Sequence, residues 1–187
     1  MSEFLYRLRP EQCAVLVVDI QERMMRVIAE GERVVKNAVL LLKAARVLGL
    51  PVVATTQYAA KIGPLLPEVA AELNGSAPHD KLEFGCFGNQ AAAAAIRAFP
   101  REVNTLLVCG VETHICICQT ILDGLLAGYR MWVPADGVSS RATLNHETGI
   151  ARIRQVGGVV ANTEMIIYEL LQKAGTEAFK AMLPYIK

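Results

Sequence analysis

Cys13–Val18 reads CAVLVV, an uncharged and largely β-branched run that meets Asp19 without a break. So short an apolar run, with no polar alternation, marks a strand buried on both faces, as in parallel sheets. Similar runs recur at 51–56 (PVVATT), 105–109 (TLLVC), 130–133 (RMWV) and 159–161, and 81–87 (KLEFGCF) reads as a short strand leaving through a glycine turn. Helical periodicity fills the gaps between them. In 33–48, Val34, Val35, Ala38, Leu41, Leu42, Ala45 and Leu48 share one face, and Gly49 is the stop. Segments 90–99, 113–127, 144–156, 163–173 (Thr163 as N-cap) and 176–182 read as further helices, and 58–76 as irregular. Short buried strands alternating with amphipathic helices predict an α/β fold. Its expected form is a three-layer α/β/α, doubly wound, mostly parallel six-stranded sheet. Neither repeat nor linker interrupts the pattern, so one domain is expected over 1–187.

Such sheets bind ligands beyond the carboxyl ends of their strands. The residues to weigh are therefore those that follow each strand: Asp19, Lys81, and the loop Gly110-Val111-Glu112-Thr113-His114-Ile115-Cys116. Aspartate is also a common turn residue and lysine a common surface residue, so the pattern leaves both readings open for the first two. The loop narrows the choice among three cysteines. Cys109 ends a buried strand and reads as an apolar filler. On the next helix Ile115, Cys118, Leu122, Leu125 and Leu126 form the core stripe, while Cys116, Thr120, Asp123 and Ala127 lie on a more polar face. With Thr113 as N-cap, Cys116 falls in the first helical turn, where the dipole favours an anion. Such a site lowers a thiol from ~8.5 by about a unit or more.

Composition excludes several classes. Lys+Arg 19 against Asp+Glu 18 leaves a net charge of +1 with no basic block, which offers nothing to nucleic acid or an anionic membrane. Neither a signal-like start nor an apolar run long enough to span a bilayer is present, and five irregularly spaced cysteines suit reduced thiols, so a cytoplasmic protein is expected. A mean hydropathy of +0.33 suggests a helix face buried between subunits, hence a homo-oligomer.

Four segments carry a family likeness: AVLVVDIQERM (14–24), TTQYAAKIGPLLPE (55–68), KLEFGCF (81–87) and LLVCGVETHICICQTILDGLLAGY (106–129). With ADGVSSRATLNHETGIARIRQVGGVVANT (135–163) as a closing region, the chain resembles the isochorismatase-like cysteine hydrolases over nearly its whole length. The resemblance implies a catalytic triad of Asp19, Lys81 and Cys116. It also implies a cis peptide between Val111 and Glu112, with the backbone amides of Glu112 and Cys116 forming an oxyanion hole. The Glu112 side chain is incidental in that reading. Metal-dependent relatives carry an Asp-x-His pair after the second strand. Here Gln57 and Tyr58 stand in that stretch, so no metal, no cofactor and no nicotinamidase activity are expected, and those two residues are expected to line the pocket. Gly85 replaces a serine frequent in relatives and is expected to reshape the pocket floor. Relatives that cleave the vinyl ether of isochorismate lack the cysteine, which argues against that substrate. The expected activity is hydrolysis of a small amide or related C–N bond through a thioester. The alternative is a non-catalytic small-molecule-binding or scaffold protein on the same fold. His114, His79 and His146 are expected at the pocket edge or on exposed segments, and Ser139-Ser140-Arg141 as a turn with some capacity for an anion.

Overall fold

The structure, a computed structural model, describes residues 6–186, so the ends of the 1–187 domain assignment lie outside the described residues. Seven strands form one sheet: β1 (Cys13–Val18), β2 (Val52–Gln57), β3 (His79–Lys81), β4 (Thr105–Val111), β5 (Arg130–Pro134), β6 (Val138–Ser139) and β7 (Val159–Ala161). The order is β3-β2-β1-β4-β5-β7, with β6 paired to the end of β4, and every pairing is parallel. The seventh strand beyond the expected six is β6, whose two residues are too few to leave a pattern in sequence. The chain winds outward both ways from β1 and β4, which places a topological switch point between their carboxyl ends.

Alternation along β1 builds both faces. Cys13, Val15 and Val17 face the helix Gly31–Leu48 (α1) through Val34, Ala38, Leu41 and Leu42, joined by Ile166 and Leu170 of a later helix. Ala14, Leu16 and Val18 face the other layer. That layer is made of Gln90–Arg97 (α2), Cys118–Leu126 (α3) and Thr143–Gln155 (α4), through Ile96, Ile121, Ile150 and Ile153. Successive strand residues point to opposite sides, so a strand that is apolar at every position needs a helical layer on each. Thr163–Leu171 (α5) and Glu177–Ile186 (α6) close the first face, where Ala44, Ile167, Leu171 and Met182 pack together.

Two local expectations change. The strand expected at 81–87 is instead His79–Lys81, because β2 ends at Gln57, opposite Lys81, and leaves nothing beyond to pair with. Leu82 and Phe84 become exposed loop residues, and His79 is a half-buried strand residue. At α5 the cap is Asn162, which accepts from the Met165 amide. Thr163 sits inside the helix and donates from both its amide and its hydroxyl to Asp136 (2.8 Å each).

Candidate active site

Asp19 follows β1 in a left-handed conformation (φ 56) that aspartate tolerates better than most residues. Its amide donates to the Thr55 carbonyl at 3.2 Å, and the Thr55 hydroxyl donates to Asp19 Oδ1 at 2.8 Å. The neighbouring strand thus grips the residue by backbone and side chain. Lys81, last residue of β3, donates from Nζ to Asp19 Oδ2 at 2.6 Å and to Gln57 Oε1 at 2.8 Å. The side chains of both partners in this ion pair are essentially out of solvent. Gln57 in turn donates through Nε2 to the Leu82 carbonyl. Gln21 clamps the same end of β2, accepting the Gln57 amide hydrogen and donating to the Gln57 and Gly63 carbonyls.

Cys116 reaches this pair from the end of β4. The Val111–Glu112 peptide is cis, and Thr113–Ile117 forms a π-type turn before α3 begins at Cys118. The Glu112 carbonyl accepts from the amides of Ile115 (3.0 Å) and Ile117 (3.2 Å). Thr113 does not cap the helix as expected. The residue preceding the turn is Glu112, and the buried Thr113 hydroxyl meets His146 Nδ1 at 2.9 Å instead. His146 is therefore half-buried rather than an exposed helix residue; burial and the nearby Arg33 lower its pKa. His114 Nδ1 meets the Ser140 hydroxyl at 3.0 Å, so it ties the turn to the segment after β6. α4 lies close against the turn at Gly149. A Cβ there would meet the His114 amide nitrogen at 2.9 Å and Thr113 Cγ2 at 3.0 Å.

The electrostatics reverse the expectation for the Cys116 thiol. Burial, reinforced by the Asp19 charge and opposed by Lys81, pushes the Cys116 thiol up to about 12. The helix-dipole argument fails because the thiol is almost fully desolvated and the turn is not an ordinary helix start. The resting group is a neutral thiol near the Asp19 carboxylate. Burial raises the pKa of Asp19, while Lys81, Thr55 and Cys116 pull it back. A carboxylate made more basic, in contact with a thiol, is suited to accept its proton.

Cys13 and Cys109 are likewise pushed up to about 12 by burial. These thiols keep their protons when folded and lose them above ~8.5 when unfolded. Folding stability is therefore unaffected below that pH and falls as pH rises toward about 12. Each such thiol contributes a slope of up to ~1.4 kcal/mol per pH unit, or ~4 for three. Urea midpoints measured from about pH 7 to 11 should be level and then drop steeply. A level profile to the top of that range would contradict the burial of these three thiols.

A pocket of about 510 Å³ opens onto Cys116. Met24, Val27, Ile62, Phe84 and Ile115 supply apolar walls, and Gln57, Glu112, Arg23, Lys61 and Arg141 the polar ones. Tyr58, expected beside Gln57, is not among the lining residues: the chain turns left-handed there (φ 43) and its side chain is exposed. Gly85 does not form the floor. A Cβ there would face α3, at 2.8 Å from Asp123 Oδ2 and 3.4 Å from Gln119 Cβ. Cys86, in the same loop, is buried, its amide bonded to the Thr120 hydroxyl, and Cys118 is buried in the core. The Glu112 side chain, for which the sequence assigned no role, pairs with Arg141. Thr55, the Lys81-holding role of Gln57, and the Glu112–Arg141 pair are the features that sequence reading missed. Only Thr55 and Thr56, just before Gln57 at the end of β2, hinted at the first. A second cavity of about 500 Å³ lies against α1, near Lys36, Val39 and Tyr185, and shares no lining residue with the first. Among the described residues no group of three or more His, Cys, Asp or Glu is placed to hold a metal ion.

The family model described as "Isochorismatase domain" matches residues 13–165. The chain belongs to the isochorismatase family. A secreted isochorismatase effector of Phytophthora sojae is 34% identical over 187 residues, covering 98% of this chain and 88% of that protein. Among solved structures, the MAR1 ribonuclease of Caenorhabditis elegans superposes with a TM-score of 0.89 at 26% identity, over 97% of this chain and 92% of that one. YcaC of Pseudomonas aeruginosa, solved with hexane-2,5-diol and covalent acrylamide, gives 0.88 at 25% identity, over 98% and 93%. The protein is thus an isochorismatase-family hydrolase with that family's α/β fold. Among the described residues no helix is long and apolar enough to cross a membrane.

Proposed function

We propose that this isochorismatase-family protein hydrolyses a small amide or related C–N bond through a thioester on Cys116. The observation that carries the reading is the buried Cys116–Asp19–Lys81 cluster at the end of an apolar pocket. As the sulfur bonds to the acyl carbon, its proton passes to Asp19. The backbone amides of Glu112 and Cys116 hold the developing oxyanion. Collapse breaks the C–N bond, and the leaving nitrogen takes the proton from Asp19. A water then loses a proton to Asp19, its oxygen bonds to the thioester carbon, and the sulfur leaves and recovers the proton. Lys81 stays an ammonium throughout and offsets the negative charge that moves between sulfur and carboxylate, while Gln57 fixes its position. No step calls for a metal or cofactor.

The same reading takes 1–187 as one catalytic domain acting on a small molecule, with neither nucleic acid nor membrane as partner. The relative named as a ribonuclease does not change this, because a net charge of +1 with no basic block offers no track for a phosphate backbone. A structural neighbour was solved with covalent acrylamide, which supports a reactive group on a protein of this fold. Unpaired, buried cysteines suit a reducing cytoplasm, although one relative is named as secreted. Exposed Leu126, Leu144 and Met165 support association of copies.

The test is covalent. Incubation with small amides should give a mass adduct on Cys116, and iodoacetamide should label Cys116 ahead of the other cysteines. Cys116→Ala should abolish the adduct and lower turnover by at least ~10⁴-fold. Ligand binding without any adduct or turnover across an amide panel would favour the non-catalytic binding protein.

A further inference from the structure

Arg141 enters the pocket with one edge of its guanidinium already committed. Its Nε donates to Glu112 Oε1 and Oε2 at 3.1 and 3.2 Å, and its backbone amide donates to Oε2 at 2.8 Å. Glu112 is buried, whereas the Arg141 side chain is 59% exposed and lines the pocket. Among the described residues its terminal nitrogens donate to no protein acceptor. A buried carboxylate holding Nε leaves the outer, two-nitrogen edge of the guanidinium oriented and free. That edge matches a second carboxylate in a bidentate arrangement.

The rest of the lining adds charge of the same sign. Arg23 and Lys61 also face the pocket, with Arg23 Nη1 donating to the Lys61 carbonyl at 2.6 Å. Neither forms an ion pair among the described residues. The walls between these cations and Cys116 are Met24, Val27, Ile62, Phe84 and Ile115, which cannot neutralise them. Three cations around an apolar pocket, against a single carboxylate already paired, give a field that favours an anionic ligand.

We propose that Arg141, held by Glu112, is a specificity-determining residue that binds a carboxylate at the substrate end remote from the scissile amide. The substrate class is then a small ω-carboxy amide. This rests on the reading of Cys116 as the nucleophile. Glu112 links the two ends, since its side chain sets Arg141 and its backbone amide is one of the proposed oxyanion donors.

The experiment uses Cys116→Ala protein, in which no thioester can form, and equilibrium titrations followed by protein NMR. The probes are the monoamides malonamate, succinamate and glutaramate, with propionamide as the amide lacking a carboxylate. At least one monoamide should bind about tenfold or more tightly than propionamide, the gain of one charge-assisted pair. Adding Arg141→Gln should erase the difference, and Arg141→Lys, which keeps the charge but not the fork, should retain part of it. Equal binding of all four probes would overturn the proposal. So would a carboxylate preference that survives Arg141→Gln, because Arg23 or Lys61 would then be responsible. These outcomes do not depend on turnover, whereas failure of Cys116 to label in the unmodified protein would sink the hydrolase reading and leave the anion site standing.

Discussion

Lys81→Met should lower the unfolding free energy by about 3–5 kcal/mol, a fall in Tm of roughly 6–20 °C for a chain of this size. Asp19 is completely buried and its principal charge partner is 2.6 Å away. Removing the ammonium leaves a buried carboxylate with the Thr55 hydroxyl as its side-chain donor. The loss should grow with pH. Burial already raises the Asp19 pKa, and without Lys81 nothing cationic opposes it, so the folded variant holds a proton that the unfolded chain sheds above ~3.9. Its stability therefore declines as pH rises from there through the folded-state pKa. Asp19→Asn in the same chain should recover much of the loss, because asparagine is isosteric, neutral and tolerant of the left-handed backbone. Urea denaturation of the single and double variants reads this directly. A single-variant cost under ~1 kcal/mol would mean that the ion pair is solvated.

Gly110→Ala should be comparably damaging, by a steric route. Gly110 has φ +123 and lies opposite Val18 in the β1–β4 ladder. A Cβ there would stand 2.0 Å from the Val18 carbonyl oxygen and 2.8 Å from its carbon. These are backbone atoms of a buried central strand, so the contact is relieved only by parting β1 from β4. That is also where Asp19 leaves one strand and the Cys116 turn leaves the other. The expected cost is about 3 kcal/mol or more, with activity lost beyond what unfolding explains. Gly128→Ala is the control. Its φ is +87 but nothing lies within 4 Å of the added carbon, so only the left-handed penalty of ~1–2 kcal/mol applies. Equal melting of the two variants would show that the close approach at Gly110 does not exist.

How far the chain could be read in advance differs from element to element. β1 and β7 fall within the residues their apolar runs marked, and β1, buried at every position, has no polar residue to blur its ends. α1 was legible from one apolar stripe and a left-handed glycine after it. β3 was misjudged because strand length depends on a partner, and β2 stops at Gln57. The turn at Thr113–Ile117 was misjudged because its threonine is claimed by His146, which lies 33 residues on in α4.

The candidate site divides the same way. Asp19, Lys81 and Cys116 could be named together only as what the family resemblance implies, and parallel strands bring the ends of β1, β3 and β4 to one edge of the sheet. What they are in chemical terms could not be named. A thiol expected to be acidic is instead held near 12, because desolvation is summed over every atom packed around it and local sequence carries only the helix around it. Thr55 beside Asp19, Gln57 beside Lys81 and Arg141 beside Glu112 are likewise contacts between distant segments, set by strand register and loop path. Sequence by itself determined which residues follow the carboxyl ends of the strands, since hydrophobic period and the residue after each apolar run are local properties. Only the tertiary structure decided their charge states, partners and pocket, because burial and pairing belong to the packed whole.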